Sequence, residues 1–161
     1  MTSFIHRHRK EPIQIVWEYG KCGYYDTIRE SPLTPCIYEE AESFCFDTAK
    51  VKRNGKYGYV NSEGNEYIPC AFDWLGDYFP GMDQLITYGE KGATMQYGLI
   101  DTSGNIVLPA AYDKIGNWEQ GFVEIQQGDK WGFVNQQGQV AFPPIYDCVY
   151  PCSDDLAVVK N

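Results

Sequence analysis

The sequence predicts an all-β protein made of about four repeated antiparallel β-hairpin units of three short strands, in an open or partly curled array rather than a sealed propeller. Three observations favour this class: glycine, proline and aromatic residues recur at fixed spacing, short runs alternate in polarity, and both ends carry the same type of strand. Aromatic residues make up 16% of the 161 residues, which suits strands and a sizeable core. We expect a basic segment over residues 1–12 and a single domain over residues 13–161.

An aromatic residue followed by glycine opens each unit, so the units start near residues 56, 96 and 130. A second glycine follows six residues after the first, a proline eleven residues after it, and an aromatic-Asp pair three residues beyond the proline. The three copies are Tyr57-Gly58, Gly64, Pro69 and Phe72-Asp73; Tyr97-Gly98, Gly104, Pro109 and Tyr112-Asp113; and Trp131-Gly132, Gly138, Pro143 and Tyr146-Asp147. A more divergent copy starts near residue 21 with Cys22-Gly23, keeps Pro35 and Tyr38-Glu39, and lacks the middle glycine.

Each part of the unit has a physical interpretation. The segments NSEGN, DTSGN and NQQGQ are predicted hairpin turns, because glycine adopts a positive φ at little cost. The proline is expected to end strand pairing, since it has no N–H to donate. The late aromatic residue is expected to return to the core, and the carboxylate after it to accept hydrogen bonds from nearby backbone N–H groups. We interpret these carboxylates as structural, because a catalytic role needs two of them to converge.

A third strand is predicted before each unit and after the last one. These strands cover residues 13–18, 49–52, 85–88, 122–127 and 156–160. One initial strand and four rounds of three strands make about thirteen strands. Because the two end strands are of the same type, an open array fits better than a closed ring. Residues 39–47 are predicted to hold one turn of helix.

The segment KWGFVN, with the spaced glycine, proline and aromatic-Asp pair, resembles the WG repeat family, named for the Trp-Gly pair. The resemblance covers residues 13–161 and is strongest over residues 130–147; Tyr57, Tyr97 and Cys22 replace the Trp in the other copies. It implies an all-β repeat found mostly in bacterial proteins, and a binding or scaffold module rather than an enzyme.

The charge is distributed unevenly along the chain. The net charge is −9, and residues 1–56 carry nine Lys and Arg against eight Asp and Glu, whereas residues 57–161 carry four against fourteen. This second part would repel nucleic acid and attract a basic protein. The sequence has no apolar run long enough for a membrane helix and no apolar region typical of a secretory signal, so we expect a cytoplasmic location and no membrane partner.

Catalytic and metal-binding patterns are weak. His6 and His8 are the only histidines, and both lie in the basic N-terminal segment. The six cysteines show no CxxC spacing, so we interpret them as reduced, small apolar residues, with a weak metal site at Cys148 and Cys152 as the alternative. No phosphate loop or dinucleotide motif occurs. We therefore expect no catalytic residues, no cofactor and no metal, although paired carboxylates for sugar hydrolysis stay open as an alternative.

The best candidate for a partner-binding site is residues 74–96, which are six residues longer than the equivalent segments of the other units. Aromatic side chains beside carboxylates are typical of protein-binding surfaces, and equivalent segments of an array would form one acidic, aromatic rim. The alternative is that Trp74 and Phe79 point inward and the longer turn is tolerated. The predicted site residues are Trp74, Asp77, Tyr78, Phe79, Asp83, Glu90, Trp118, Glu119, Tyr150, Asp154 and Asp155.

The function predicted from these features is that of a non-catalytic binding protein that masks a basic partner. An inhibitor or immunity protein for a cationic bacterial toxin, such as a nuclease, would need this charge. A general protein-interaction scaffold and a carbohydrate-binding module with aromatic platforms at Trp118 and Tyr78 are the two alternatives.

Overall fold

The computed structural model describes residues 11–77, 85–151 and 157–160. Over this part of the chain the protein forms seventeen β-strands in five antiparallel sheets, with no helix. None of these sheets closes on itself within the described residues. The all-β class and the open array of antiparallel repeats are therefore confirmed.

The strands follow one another along the chain in the order of the sheets. The first sheet contains β1 (Ile13–Glu18), β2 (Lys21–Asp26) and β3 (Ser31–Pro32). The second contains β4 (Glu40–Ala41), β5 (Thr48–Arg53), β6 (Lys56–Asn61) and β7 (Glu66–Phe72). The third contains β8 (Trp74–Leu75), β9 (Leu85–Lys91), β10 (Met95–Asp101) and β11 (Ile106–Tyr112). The fourth contains β12 (Lys114–Glu119), β13 (Phe122–Gln127), β14 (Lys130–Asn135) and β15 (Val140–Tyr146), and the fifth contains β16 (Cys148–Pro151) and β17 (Ala157–Lys160).

Each complete sheet is a four-stranded meander that joins two sequence units. The predicted third strand of one unit, such as β5, pairs with the first strand of the next unit, β6, which pairs with β7. A further short strand before each third strand, such as β4 beside β5, was not predicted. The described residues therefore contain seventeen strands rather than about thirteen.

Two local predictions were wrong. Residues 39–47 form no helix; they contain β4, and Cys45 forms a bridge with Thr48.

The repeated proline does not end strand pairing, because Pro69 lies inside β7. The register shifts instead between the pairs Tyr59–Ile68 and Tyr57–Phe72. Proline is accommodated because the bulge at this shift needs no N–H from it. The same shift occurs in β11 and β15.

The bulge explains why glycine follows Tyr57, Tyr97 and Trp131. A Cβ atom on Gly58 would lie 2.5 Å from the carbonyl oxygen of Ile68, and one on Gly98 would lie 2.3 Å from that of Leu108. Gly132 has the same relation to Phe142, at 2.3 Å. Glycine is thus required here because the backbone of the neighbouring strand occupies the space of a side chain.

The middle glycine serves a different contact. Gly64 and Gly138 have positive φ values of 86° and 75° in their hairpin turns, as predicted. A Cβ on Gly64 would lie 2.3 Å from the carbonyl oxygen of Leu33, and one on Gly138 would lie 2.1 Å from the Cγ1 of Val107. Each turn therefore packs against the preceding sheet.

The hydrophobic cores lie between consecutive sheets. One core joins Cys22 and Tyr24 of the first sheet to Val51 and Val60 of the second, and two further cores join the second to the third sheet and the third to the fourth. Because each sheet depends on its neighbours for burial, the units stabilise one another. The late aromatic residues Tyr38 and Phe72 are buried in these cores, as predicted.

Buried tyrosines in two sheets satisfy carbonyl groups of the next sheet. The hydroxyl of Tyr24 donates to the carbonyl oxygen of Glu42 at 2.5 Å, and that of Tyr59 donates to the carbonyl oxygen of Gly76 at 2.7 Å. Burial raises the pKa of the Tyr24 phenol, so it remains protonated. The fourth sheet has Phe133 at the same repeat position.

The five described cysteines are free thiols. Cys22 is fully buried, and Cys70 is partly buried. Burial raises the pKa of the Cys70 thiol to about 11, which keeps it in the poorly reactive thiol form.

Candidate binding groove between the third and fourth sheets

The carboxylate after the late aromatic residue accepts a hydrogen bond from a backbone N–H of the following sheet in three of the four units. Glu39 accepts a hydrogen bond at Oε2 from the backbone N–H of Gly55, at 3.0 Å, in the turn between β5 and β6. Asp113 accepts one at Oδ2 from the N–H of Gly128, at 2.6 Å, in the equivalent turn of the fourth sheet. The predicted backbone hydrogen bond is confirmed for Glu39 and Asp113, and also for Asp73, whereas Asp147 contacts the side chain of Lys130. We call Glu39, Asp73, Asp113 and Asp147 the late acids.

A lysine at the start of the unit pairs with three of the four late acids. Lys21 lies 3.4 Å from the Oε1 of Glu39, Lys56 pairs with Asp73, and Lys130 pairs with Asp147. The hydrogen bond from Lys56 lowers the pKa of Asp73 below its usual value, and the N–H of Gly55 lowers that of Glu39.

The third unit departs from this rule. Gln96 stands where the other units have lysine, and Asp113 forms no ion pair with any described residue. Asp113 is therefore the one late acid that this chain's own lysines leave uncompensated within the described residues.

In the last three units, the aromatic residue before the first glycine belongs to a row of side chains that crosses its sheet from strand to strand. In the second sheet the row is Glu40, Lys52, Tyr57 and Phe72; in the third it is Trp74, Gly89, Tyr97 and Tyr112; in the fourth it is Lys114, Gln126, Trp131 and Tyr146. Neighbours in such a row can interact directly. We refer to these as the aromatic rows.

A lysine of the chain itself covers the aromatic ring in the second and fourth rows. Lys52 Nζ lies 5.1 Å from the centroid of the Tyr57 ring and 3.0 Å from the Oε1 of Glu40. Lys114 Nζ lies 5.7 Å from the centroid of the Trp131 ring. Both distances are within the range of cation–π attraction.

The third row has aromatic side chains and no lysine. Trp74 packs edge-on against Tyr97, with the ring centroids 5.5 Å apart and an interplanar angle of 87°. Gly89 between them makes this contact possible, because a Cβ there would lie 3.2 Å from the Cβ of Trp74 and 3.3 Å from the Cε1 of Tyr97. Trp74 remains 40% exposed.

These two rings form one wall of an open groove of about 360 Å³ between the third and fourth sheets. Its lining is Trp74, Thr87, Tyr97, Asp113, Lys114, Ile115 and Gln126. The groove thus combines exposed aromatic surface with an uncompensated carboxylate. This arrangement can bind a group that is both flat and hydrogen-bonding, or cationic.

The structure places only some of the predicted site residues. Trp74 lies in the groove. Asp77 is exposed but pairs with Lys50, with 2.7 Å between Nζ and Oδ1. Glu90 is exposed at the end of β9. Tyr78, Phe79, Asp83, Asp154 and Asp155 lie outside the described residues, as does the side chain of Tyr150.

The structure does not bring Trp74 and Trp118 together. Trp74 pairs with Gly89, and its counterpart in the fourth sheet is Lys114, which pairs with Gln126. Trp118 pairs with Val123, toward the other end of its sheet, and is partly buried against the third core. Glu119 beside it is exposed.

The sequence reasoning missed the lining residues other than Trp74, among them Tyr97 and Asp113, and also Gly89 and Gln96, which bear on the groove without lining it. Tyr97 was assigned only to the repeat, Asp113 was interpreted as structural, and Gly89 and Gln96 were not singled out. Gln96 carried a signal, since it replaces a lysine that the units starting near residues 21, 56 and 130 share. The role of Gly89 required the strand register.

The described residues contain no group of three or more His, Cys, Asp or Glu that could hold a metal ion. They also contain no helix of the length and apolarity that crossing a membrane requires.

Comparison with known proteins places the chain in a family. No curated protein and no solved structure matches it significantly. The family model described as "WG containing repeat" matches four segments, residues 23–57, 57–81, 97–131 and 131–161. These segments cover most of the chain, and each begins at or beside the first glycine of a sequence unit. The chain therefore belongs to the WG containing repeat family.

Proposed function

We propose that this protein is a non-catalytic, cytoplasmic binding module that masks a basic partner protein, as an inhibitor or immunity protein masks a cationic toxin such as a nuclease. The observation that carries the proposal is the excess of fourteen Asp and Glu over four Lys and Arg in residues 57–161. A repeat array with rigid, mutually packed sheets supports such a role, because it presents fixed side chains to a partner at low entropic cost.

Ion pairs within the chain define which acids are available. Glu66, Asp73 and Asp77 pair with Arg53, Lys56 and Lys50, all from the less acidic part of the chain. These acids are partly compensated.

Five other acids of residues 57–161 are exposed and unpaired among the described residues: Glu63 and Asp113, and the three that the test below changes. Glu90, Glu119 and Asp129 are exposed and form no ion pair with any described residue. Exposed charges of one sign accelerate association with an oppositely charged protein and suppress binding of like-charged partners.

Affinity capture from the native cell lysate tests the proposal. The immobilised protein is compared with the variant E90K/E119K/D129K, and each is washed at low and high salt before mass spectrometry. The matched control is E11K/E18K/E30K, which changes the net charge equally at exposed positions of the other part of the chain.

We expect one basic protein that binds the unaltered chain and the control, is released by high salt, and is lost with E90K/E119K/D129K. Capture unaffected by that variant, or a salt-insensitive ligand, contradicts the acidic mask and favours carbohydrate binding. Several partners of modest affinity favour a general scaffold.

A further inference from the structure

We propose that the groove between the third and fourth sheets binds an arginine side chain of a basic partner, with Trp74 and Tyr97 contacting the guanidinium and Asp113 accepting its hydrogen bonds. This inference rests on the proposed function and assigns its central contact. It comes from differences between equivalent positions of the chain rather than from net charge.

The neighbouring aromatic rows show which group lies beside the ring that corresponds to Tyr97. Lys52 lies over Tyr57 in the second row, and Lys114 lies over Trp131 in the fourth. In the third row Gly89 takes the place of Lys52, so no lysine of that row covers Tyr97. The repeat thus places a cation of its own chain beside this aromatic residue in two rows, whereas in the third row the half-exposed ring of Trp74 lies beside it.

The carboxylate of the same groove also lacks its usual partner. Asp113 uses Oδ2 to accept the hydrogen bond from Gly128, whereas the lysine that would pair with it is replaced by Gln96. Asp113 is exposed, and it lines the groove together with Trp74. Compared with the second sheet, which has Lys52 and Lys56 at the equivalent positions, positions 89 and 96 therefore both lack a cation.

Guanidinium fits this site better than ammonium does. Its planar face stacks on an aromatic ring while its edge donates to a carboxylate, so it can use Trp74 and Asp113 together. The perpendicular rings of Trp74 and Tyr97 offer a corner for such a planar group. Lys114 also lines the groove, but its Nζ lies over the Trp131 ring of the next row. The positive charge of Lys114 weakens cation binding in the groove. A variant that removes this charge is therefore expected to bind a cation more tightly.

The experiment titrates the ¹⁵N-labelled full chain with the peptide acetyl-Gly-Arg-Gly-amide and follows the indole N–H of Trp74 and the backbone N–H of Gly128 by NMR. The comparison peptide carries citrulline, which has the shape of arginine without the charge. A dissociation constant on the order of 1 mM is typical of one side chain in a shallow site.

We expect saturable shifts at both groups, with the citrulline peptide at least about tenfold weaker. D113N is expected to weaken the arginine peptide at least about fivefold, and K114Q to tighten it. The matched control D147N changes the late acid that Lys130 already compensates, and it is expected to leave the dissociation constant unchanged.

Equal affinity for the two peptides, an equal loss with D147N, or no saturable shift would overturn the inference. Equal affinity would assign the groove to neutral polar ligands such as saccharides. The peptide titration does not depend on the partner, so its failure is distinguishable from failure of the proposed function, which the capture of a basic protein tests separately.

Discussion

The backbone N–H of Lys91 donates a hydrogen bond to the Oδ2 of Asp73, 2.9 Å away, while the Oδ1 of the same carboxylate accepts from Lys56. Lys56 belongs to the second sheet and Lys91 to the third. Asp73 lies between β7 of the second sheet and β8 of the third, and its carboxylate connects the two sheets. Asp73 therefore helps to hold the second and third sheets together, in addition to their shared core.

Removal of this connection is expected to destabilise the array. The variant D73A loses both hydrogen bonds and is expected to lower the melting temperature by a few degrees in a thermal unfolding experiment. The control D129A removes an exposed acid of the turn between β13 and β14, and it is expected to leave the melting temperature unchanged. Equal melting temperatures for D73A and the unaltered chain would contradict the connecting role.

The glycine after the first residue of each unit is expected to be intolerant of any side chain. In G98A the new Cβ would lie 2.3 Å from the carbonyl oxygen of Leu108, so we expect a loss of about 3 kcal/mol or more in the free energy of unfolding. In the control G55A the Cβ meets no atom within 4 Å, and only the positive φ of 75° opposes it. That strain costs about 1 kcal/mol.

Urea unfolding of the two glycine variants measures this difference. A loss of similar size in both would contradict a steric requirement for glycine at position 98.

The hydroxyl of Tyr59 is expected to contribute to stability through its hydrogen bond to Gly76. The variant Y59F leaves that carbonyl group without this donor, and we expect a loss of about 1–2 kcal/mol in the free energy of unfolding. The control Y19F removes a hydroxyl from a side chain that is 97% exposed and is expected to have no effect. Equal stability of Y59F and the unaltered chain would mean that the hydrogen bond has no net stabilising effect.

Stability is expected to fall as the solution becomes acidic. Hydrogen bonds from backbone N–H groups lower the pKa of Asp26 and Glu39, and the hydrogen bond from Lys56 lowers that of Asp73. A carboxyl group whose pKa is lower in the folded state stabilises that state above its unfolded pKa of about 4, and the contribution is lost as the pH falls through the folded pKa. The free energy of unfolding should therefore be nearly constant from pH 7 to about pH 5 and fall below about pH 4.

Urea unfolding across this pH range shows whether protonation of the acids lowers or raises the free energy of unfolding. Mutual repulsion in a chain of net charge −9 predicts that protonation of acids stabilises the fold. A free energy of unfolding that rises between pH 5 and pH 3 would show that repulsion outweighs these hydrogen bonds.

The elements that local chemistry determines could be predicted from the sequence. The turn glycine Gly64 and the strand over residues 122–127 follow from conformational preference and alternation, and both are confirmed. The strand β8 was missed because two residues carry no periodicity. Pro69 was misinterpreted because its tolerance depends on a bulge that only strand pairing reveals.

The candidate groove could be predicted only in part. Trp74 was singled out from composition and segment length, and it lies in the groove. Strand pairing shows that Trp74 is equivalent to Lys114 rather than to Trp118, and it also shows the role of Gly89. The sequence did not reveal this register, because the segment around Trp74 is longer than its counterparts. The hairpin beyond Gly89 holds three of the six extra residues, because seven residues separate Gly89 from Tyr97 and four separate Lys52 from Tyr57.

The most direct test of the account is to map where the captured basic partner binds, by following backbone and indole N–H shifts of the labelled chain. We predict that the largest changes occur at the groove, at the Trp74 indole and the Gly128 amide, and diminish when salt is raised. Changes confined to the first sheet around the exposed Trp17 and Tyr19, with the groove unaffected, would contradict it.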